Sequence, residues 1–560
     1  MKIAFLTSYN SDLFKKKFEQ FLSQTYSNCE IFWNSYGLHE QSVFNNTGPL
    51  YKFEPDIIIV HFEIEWLFGD FFYDPLSLSD LDRNNKIEET KSKLNLLINV
   101  LVDKFPKTKI VFENFIQRSL LKLGTLDANI NFGINEIISV LNNHLFQLKK
   151  QFGERLIIHN YADLVLTHGR INFFDKRLYR LAKNSFAASF YTTLFEHYSE
   201  IINILSSPRK KCIVVDLDNT LWGGVIGQDG FDKIELGGFG SGEAYVQFQK
   251  ALLNFYRKGI FVAVCSKNNY DDALEVIEKH PDMILQKQFF SSLKINWIDK
   301  ATNIKSIAKD LNIGTDSIVF LDDNPAECEL VKQQMPEVEV VNLTGDPDNY
   351  IKQLLSLNSL KTVIITEEDL SRNIMHSDDE KRKDFSQSFT NLNDYYKSLD
   401  MQGYVFVNDQ SQTSRIAQLT QKTNQFNLTT KRYSVEDIRK FMSDNLHRVY
   451  SLKLTDKFGD NGIVLIAIVN IKKEEWFIDT FLMSCRVIGR QAETALLNEI
   501  ISDALKENIS ILKGEFIRSK KNAPAEEFYK NHDFKLINDN IWELRLPQNL
   551  FNHYITINRD

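Results

Sequence analysis

The chain has 560 residues, of which 43% are apolar and 25% charged, and a formal net charge of −8. That length exceeds what a single core sustains, so two to four domains are expected, and the composition is that of a globular protein, not a disordered or fibrous one. An acidic balance disfavours a dedicated nucleic-acid binder, which needs dominant Lys/Arg clusters, and no apolar run approaches the length of a membrane span.

Cys29, Cys212, Cys265, Cys328 and Cys485 are scattered and form no CxxC pair. Neither a disulfide framework nor a thiolate zinc site is expected, and a reduced, cytoplasmic setting fits best. The first ten residues turn polar too early for the apolar region of a signal peptide.

In chain order, the apolar run Ile3 to Leu6 precedes a segment of helical period from about Leu13 to Leu22. Ile57–Val60, Ile110–Phe112 and Leu156–Ile158 are further short apolar runs, spaced widely enough for helices between them, which predicts a parallel α/β domain over 1–205. After the basic, Pro-containing stretch 206–211 comes a second alternating segment, 206–365. Its strands are predicted at Cys212–Val215, Phe261–Val264 and Ile318–Leu321, and its helices near 245–257, 271–278 and 301–311. The charged stretch 366–399 reads as an exposed linker helix. From 400 to 560, strands are predicted at 448–454, 462–471 and 476–483 and a helix at about 491–505, giving an α+β domain of antiparallel strands.

Chemistry concentrates in the middle segment. Asp216-Leu217-Asp218 ends a buried strand, and residues two apart on an extended chain face the same way, so both carboxylates can serve one site. One can attack phosphorus while the other manages protons. The next strand ends at Ser266, a hydroxyl donor suited to a phosphate oxygen. A later one ends at Asp322-Asp323, hard oxygen ligands suited to Mg²⁺. Lys300 precedes a helix and can neutralise a phosphoaspartate, with Lys294 as its rival. The insert 221–260, with its Gly-rich Trp222–Gly227 loop, is too short for a capping domain, which predicts an open site.

These parts, in this order, resemble the haloacid-dehalogenase phosphotransferase superfamily. The resemblance implies Asp216 as nucleophile and Mg²⁺ ligand, Asp218 as acid/base that also coordinates through its main-chain carbonyl, Ser266 and Lys300 on phosphoryl oxygens, and Asp322 with Asp323 completing the metal site. Asp216–Gly224, Cys265–Asn268, Lys294–Trp297, Lys422–Thr430, Phe458–Gly462 and Ser484–Arg490 together look like the FkbH-like family along nearly the whole chain. That implies an SGNH-hydrolase-like first domain, a haloacid-dehalogenase domain and a C-terminal domain resembling GNAT acyltransferases. It also implies an activity: removal of phosphate from 1,3-bisphosphoglycerate and loading of a glyceryl group onto the phosphopantetheine thiol of an acyl carrier protein, in polyketide or surface-polysaccharide assembly. Thr220, Ser266, Lys267, Lys294, Lys300, Asn424, Gln425, Arg486, Gly489 and Arg490 are the substrate-contacting positions it implies.

Cys265 and Cys485 compete for a thioester relay, each with inert packing as its bland reading. Arg490 and the helix start after it are expected to face the phosphate of the carrier arm. In the first domain Ser8 lacks a Gly-Asp-Ser context and no Asp-x-x-His follows, so this domain is expected to be catalytically silent. His61, Glu63, Glu113, Asn114 and His159 nevertheless fall near its strand ends. The competing functions are a plain Mg²⁺-dependent phosphomonoesterase with a separate acetyltransferase domain, and a non-catalytic scaffold that binds a carrier protein.

Overall fold

The computed structural model describes all residues except 27, 70, 71, 73, 119–122, 548 and 560. Strands β1 (Lys2–Thr7), β2 (Glu30–Trp33), β3 (Ile57–His61), β4 (Lys109–Glu113) and β5 (Leu156–His159) form a parallel sheet in the order β2-β1-β3-β4-β5. Alternation of side chains sends Ala4, Leu6, Ile58 and Val60 into one core and Ile3, Phe5, Ile57 and Ile59 into the other. Helices α1 (Lys15–Ser23), α2 (Asp80–Lys104), α3 (Ile134–Phe152) and α4 (Tyr191–Ser206) cover the two faces. Phe18 of α1 and Leu194 and Ile201 of α4 close one core, and Leu97 of α2 and Leu141 of α3 close the other. Strands buried on both sides read as unbroken apolar runs, which is why β3 is all Ile and Val before His61.

The second sheet repeats this logic. Strands β6 (Cys212–Val215), β7 (Phe261–Ser266), β8 (Ser292–Ile295), β9 (Ile318–Asp322) and β10 (Glu339–Asn342) run parallel in the order β10-β9-β6-β7-β8. Helix α5 (Ser241–Arg257) packs on one face, and α7 (Lys300–Asp310) and α8 (Pro325–Gln334) on the other; α6 (Tyr270–Lys279) follows β7. Asp299 caps α7 by accepting from the Thr302 amide at 2.8 Å, and Asn324 caps α8 ahead of Pro325. Both caps fix the chain just after a strand end, where the site lies.

The third sheet departs from the antiparallel expectation. Its strands are β11 (Met401–Val407), β12 (Phe426–Asn427), β13 (His447–Asp456), β14 (Gly459–Ile471), β15 (Glu475–Met483), β16 (Ile511–Glu515), β17 (Lys535–Leu536), β18 (Ile541–Arg545) and β19 (Ile555–Arg559). The order is β17-β18-β16-β15-β14-β13-β11-β19, and the β15/β16 and β11/β19 pairs are parallel. Helix α10 (Ala492–Lys506) makes the crossover that a parallel β15/β16 pair requires. Pairing of β15 with β16 stops at Ile478–Gly514; beyond it Leu428 bridges the diverging strands, donating to Phe481 O at 3.1 Å and accepting from the Ile517 amide at 2.8 Å.

The charged stretch is helical, as expected, but it is not an exposed linker. Helix α9 (Glu367–Gln387) starts in a Thr366/Asp369 capping box and buries Asn373, Asp378 and Arg382. Near its start Arg372 donates to Gly259 O at 2.6 Å and Asn373 to Tyr256 O at 2.5 Å, both in the second domain. One turn from its end Arg382 grips Asp456 of the third sheet with two hydrogen bonds, at 2.8 and 2.9 Å.

Candidate active site

The site forms where β6, β7 and β9 end side by side. Asp216 follows β6, with its amide donating to Leu321 O of β9, and the chain then turns through Asn219 at φ +53°. Asn219 tolerates this left-handed geometry and stabilises it by accepting from the Gly224 amide at 2.9 Å. The turn returns Thr220 to Asp323, to which its hydroxyl donates at 3.1 Å.

Carboxylate oxygens of Asp216, Asp322 and Asp323 lie within 4.8 Å of one another. The Lys300 ammonium sits between two of them, 2.9 Å from Asp216 Oδ2 and 2.5 Å from Asp322 Oδ2. Burial opposes the Lys300 charge, but the two carboxylates outweigh it and hold the group above its usual range. Asp322 is fully buried; burial, then the Asp216 charge, push its carboxyl up to about 7 against the pull of Lys300. Asp216 Oδ1 is buried and has no hydrogen-bond partner among the described residues. An orphaned anionic oxygen facing two more carboxylates is the donor set of a hard divalent cation, so the residues fit Mg²⁺.

Asp218 is held apart from this cluster. Its Oδ1 accepts from Trp222 Nε1 at 3.0 Å and from the Ile226 amide at 3.1 Å, and its Oδ2 accepts from Asn268 at 2.9 Å. Burial raises its pKa against those three donors, which favours the protonated form a general acid needs. Asn268 also donates to Ser266 Oγ at 3.2 Å, tying the hydroxyl to the acid/base. Trp222 and Asn268 both lie inside motifs read from the sequence, but as a loop tryptophan and a turn asparagine they carried no sign of orienting Asp218.

The remaining predicted positions divide. Of the rival lysines, Lys294 is paired with Asp310 at 2.7 Å, and Lys300 alone touches the Asp216 cluster. Lys267 pairs with Glu327 at 2.6 Å. Alternation along β7 turns Cys265 away from Ser266 into the core with Ala301 and Phe320, its Sγ 3.7 Å from the Lys300 carbonyl oxygen, and burial pushes its thiol up to about 12. Cys485 is exposed and lies 3.6 Å from the Asn312 amide nitrogen. Asn312 follows α7 at the end remote from Lys300, so Cys485 sits at the opposite end of that helix, about 16 Å of rise, from the lysine that reaches Asp216. Arg490 does not face open solvent for an incoming phosphate: it pairs with Asp379 at 3.0 Å and Asp456 at 3.3 Å. Arg486 donates to Ser484 Oγ and contacts Met375 of α9, and Gly489 at φ +82° accepts from the Tyr396 hydroxyl through its carbonyl. Asn424 accepts from Arg432 at 2.5 Å, and Gln425 is exposed.

The insert after β6 adds only a short helix at Ile226–Asp229 and α5, so the site stays uncapped. An open depression beside it is lined by Asn268, Tyr270, Asn296 and Trp297, and Trp297 is 71% exposed. Among the described residues no helix is long and apolar enough to cross a membrane.

A paired strand-end Asp motif, a neighbouring strand-end hydroxyl, a helix-borne lysine and terminal carboxylates on this parallel sheet define a haloacid-dehalogenase-like phosphatase domain. The comparisons agree. A family model described as NLI interacting factor-like phosphatase matches residues 211–371. The phosphatase-containing N-terminal part of BF1531 from Bacteroides fragilis, solved with Mg, is 29% identical over 65% of this chain and 94% of its own, with a TM-score of 0.57. Among other solved structures, the ribosomal-protein-S18-alanine N-acetyltransferase from Escherichia coli is 15% identical over 27% of this chain and 99% of its own, with a TM-score of 0.22. Ard1 from Thermoplasma volcanium is 16% identical over 26% and 99%, with a TM-score of 0.21. No curated protein sequence matches the chain. The protein is an enzyme with a phosphatase domain of the haloacid-dehalogenase type.

Proposed function

We propose that this domain takes phosphate from a small acyl phosphate of the 1,3-bisphosphoglycerate type, and that the acyl group passes to the phosphopantetheine thiol of an acyl carrier protein. Asp216 would attack phosphorus at the ester phosphate of such a donor, forming a phosphoaspartate and releasing the alcohol, with Asp218 giving the proton to the leaving oxygen and later taking one from water. Ser266, held by Asn268, and Lys300 are placed to receive the phosphoryl oxygens. Asp216, Asp322 and Asp323 would hold Mg²⁺, which, when bound, neutralises charge on the phosphoryl oxygens. The acyl phosphate stays intact through that step and is the activated acyl donor: a thiolate would attack its carbonyl carbon, forming the thioester while inorganic phosphate leaves.

The observation that carries the transfer step is Cys485, the exposed cysteine, standing where the C-terminal domain meets the phosphatase domain. Its place at the far end of α7 from Lys300 would be served by a mobile acceptor, which a carrier arm supplies. The first domain would be a catalytically silent, SGNH-like docking body, the C-terminal domain a GNAT-like holder of the arm, and the setting cytoplasmic.

The same separation favours one other reading, a phosphomonoesterase whose C-terminal domain acts independently. Mass spectrometry of a carrier protein incubated with the enzyme, Mg²⁺ and 1,3-bisphosphoglycerate distinguishes them. A glyceryl mass gain that Cys485→Ser abolishes supports the transfer; phosphate release from simple esters without that gain sinks it.

A further inference from the structure

We propose that the first domain carries a separate metal centre, a transition-metal site built from Glu113, His159 and His197. It is independent of the phosphatase reading, because it lies in another sheet and uses another donor chemistry.

Glu113 and His159 are the last residues of neighbouring strands β4 and β5 and are register partners, while His197 comes from α4. The carboxyl ends of parallel strands are where open α/β sheets build ligand sites, and here three elements converge on one point. Each oxygen of the fully buried Glu113 carboxylate meets one imidazole nitrogen: Oε1 lies 2.9 Å from His159 Nδ1 and Oε2 3.1 Å from His197 Nε2. The two rings stack with centroids 3.9 Å apart and planes 19° from parallel, presenting their nitrogens to the same carboxylate. One donor atom from each residue lies within 4.8 Å of the others. A tetrahedral ion with ligands at about 2.0–2.2 Å has donor–donor edges of about 3.4 Å, inside the 4.8 Å that bounds the three donor atoms.

A second observation points the same way. His61 ends β3, the strand next to β4, and is fully buried; its Nδ1 is 2.6 Å from the Tyr198 hydroxyl, but its Nε2 has no hydrogen-bond partner among the described residues. Three consecutive strands thus end in His61, Glu113 and His159, and the charges of Glu113, His159 and His197 all act on His61. Buried imidazole nitrogens are normally satisfied. Neutral imidazoles can each donate one N–H to this carboxylate; a divalent ion in place of those protons would be ligated by the same three side chains.

Imidazole nitrogen with a single carboxylate selects the class of Zn²⁺, Co²⁺, Fe²⁺ and Mn²⁺, in contrast to the all-oxygen cluster around Asp216, which selects Mg²⁺. The side chain of His159 is 12% exposed, leaving an edge for entry.

The test uses the full chain stripped with a chelator and titrated with Co²⁺ in saturating Mg²⁺, followed by visible absorption and calorimetry, with thermal melting and circular dichroism as fold controls. The expected result is one tightly bound Co²⁺ with nitrogen-ligand absorption bands and a raised melting temperature, retained in Asp216→Asn and lost in the His159→Gln/His197→Gln double variant. Should the double variant fail to fold, Glu113→Gln, which leaves both imidazoles in place, decides by the same readout. Absence of Co²⁺ uptake under Mg²⁺ competition, or uptake unchanged in these variants, overturns the proposal and leaves a hydrogen-bonded core cluster.

Discussion

Lys300 Nζ stands 2.5 Å from Asp322 Oδ2 and, through the same ammonium, holds Asp216 at 2.9 Å. Removing it strands two buried carboxylates. Lys300→Met is expected to abolish phosphate release and to destabilise the protein by about 3–5 kcal/mol, the usual cost of breaking a buried pair. Asp216→Asn removes one of three mutually repelling acids and should abolish release with its melting temperature unchanged or raised. Phosphate assays beside thermal melts of both variants check this, and a Lys300→Met protein as stable as the parent contradicts it.

Asp322 sets a pH dependence for the cation. Burial, then the Asp216 charge, push its carboxyl up to about 7 against the pull of Lys300, and a cation binds the deprotonated form. The apparent affinity for Mg²⁺ should therefore rise as pH goes from about 6 to about 8 and then level off, with proton release on binding. Calorimetric titration in buffers of different ionisation enthalpy measures both.

Cysteine reactivity should separate Cys485 from the rest. It is exposed, whereas Cys212, Cys265 and Cys328 are buried with thiols pushed upward by burial. Brief alkylation of the native protein, read by peptide mass mapping, should mark Cys485 ahead of those three. Labelling of Cys265 at a comparable rate would reopen it as a relay.

Breaking the Arg382–Asp456 pair should loosen α9 from the third sheet. Both side chains are buried, so Asp456→Asn, which leaves Arg382 and Arg490 short of a carboxylate, is expected to cost about 3 kcal/mol. Limited proteolysis should then cut within 380–400 faster than in the parent.

His39 should shape the acid limb of stability. Burial against Phe62 and Trp66 lowers its pKa from 6.5 to about 4. A depressed folded value means the folded chain resists the proton, so this contribution is complete above about 6.5 and is lost as pH falls through about 4. The shift corresponds to about 3 kcal/mol. His39→Phe should flatten the fall in melting temperature between those values, and an unchanged acid limb would show the loss lies elsewhere.

The central apolar strands and the catalytic motifs were legible because burial on both faces leaves Ile/Val runs, as in Cys212–Val215, and because Asp216 follows a strand, Ser266 and Asp322 end one and Lys300 opens a helix. Edge strands β2, β8 and β10 escaped notice: each has only four residues and most are half-exposed, which leaves too little periodicity. Strands β11, β16, β18 and β19 were not read from the sequence at all, and the parallel pairing of β16 and β19 is decided by a crossover, not by the strand. Cys265 and Cys485 could not be told apart from neighbouring residues alone; facing direction on β7 decides the first and a solvent-facing turn after β15 the second. Arg490 looked available because its partners, Asp379 and Asp456, lie 111 and 34 positions away.

Helix α9 acts as a ruler. Its anchors, Asn373 on the phosphatase domain and Arg382 on the third sheet, are separated by nine residues of continuous helix, about 14 Å of rise, and each residue also advances the helix by about 100°. The spacing and the azimuth of the two domains are therefore set together by a residue count. One residue inserted between these anchors would swing Arg382 a quarter-turn away from Asp456, whereas an insertion of seven would nearly restore the bearing while lengthening the gap, so the reach between the two domains is written in the helical phase of the segment that joins them.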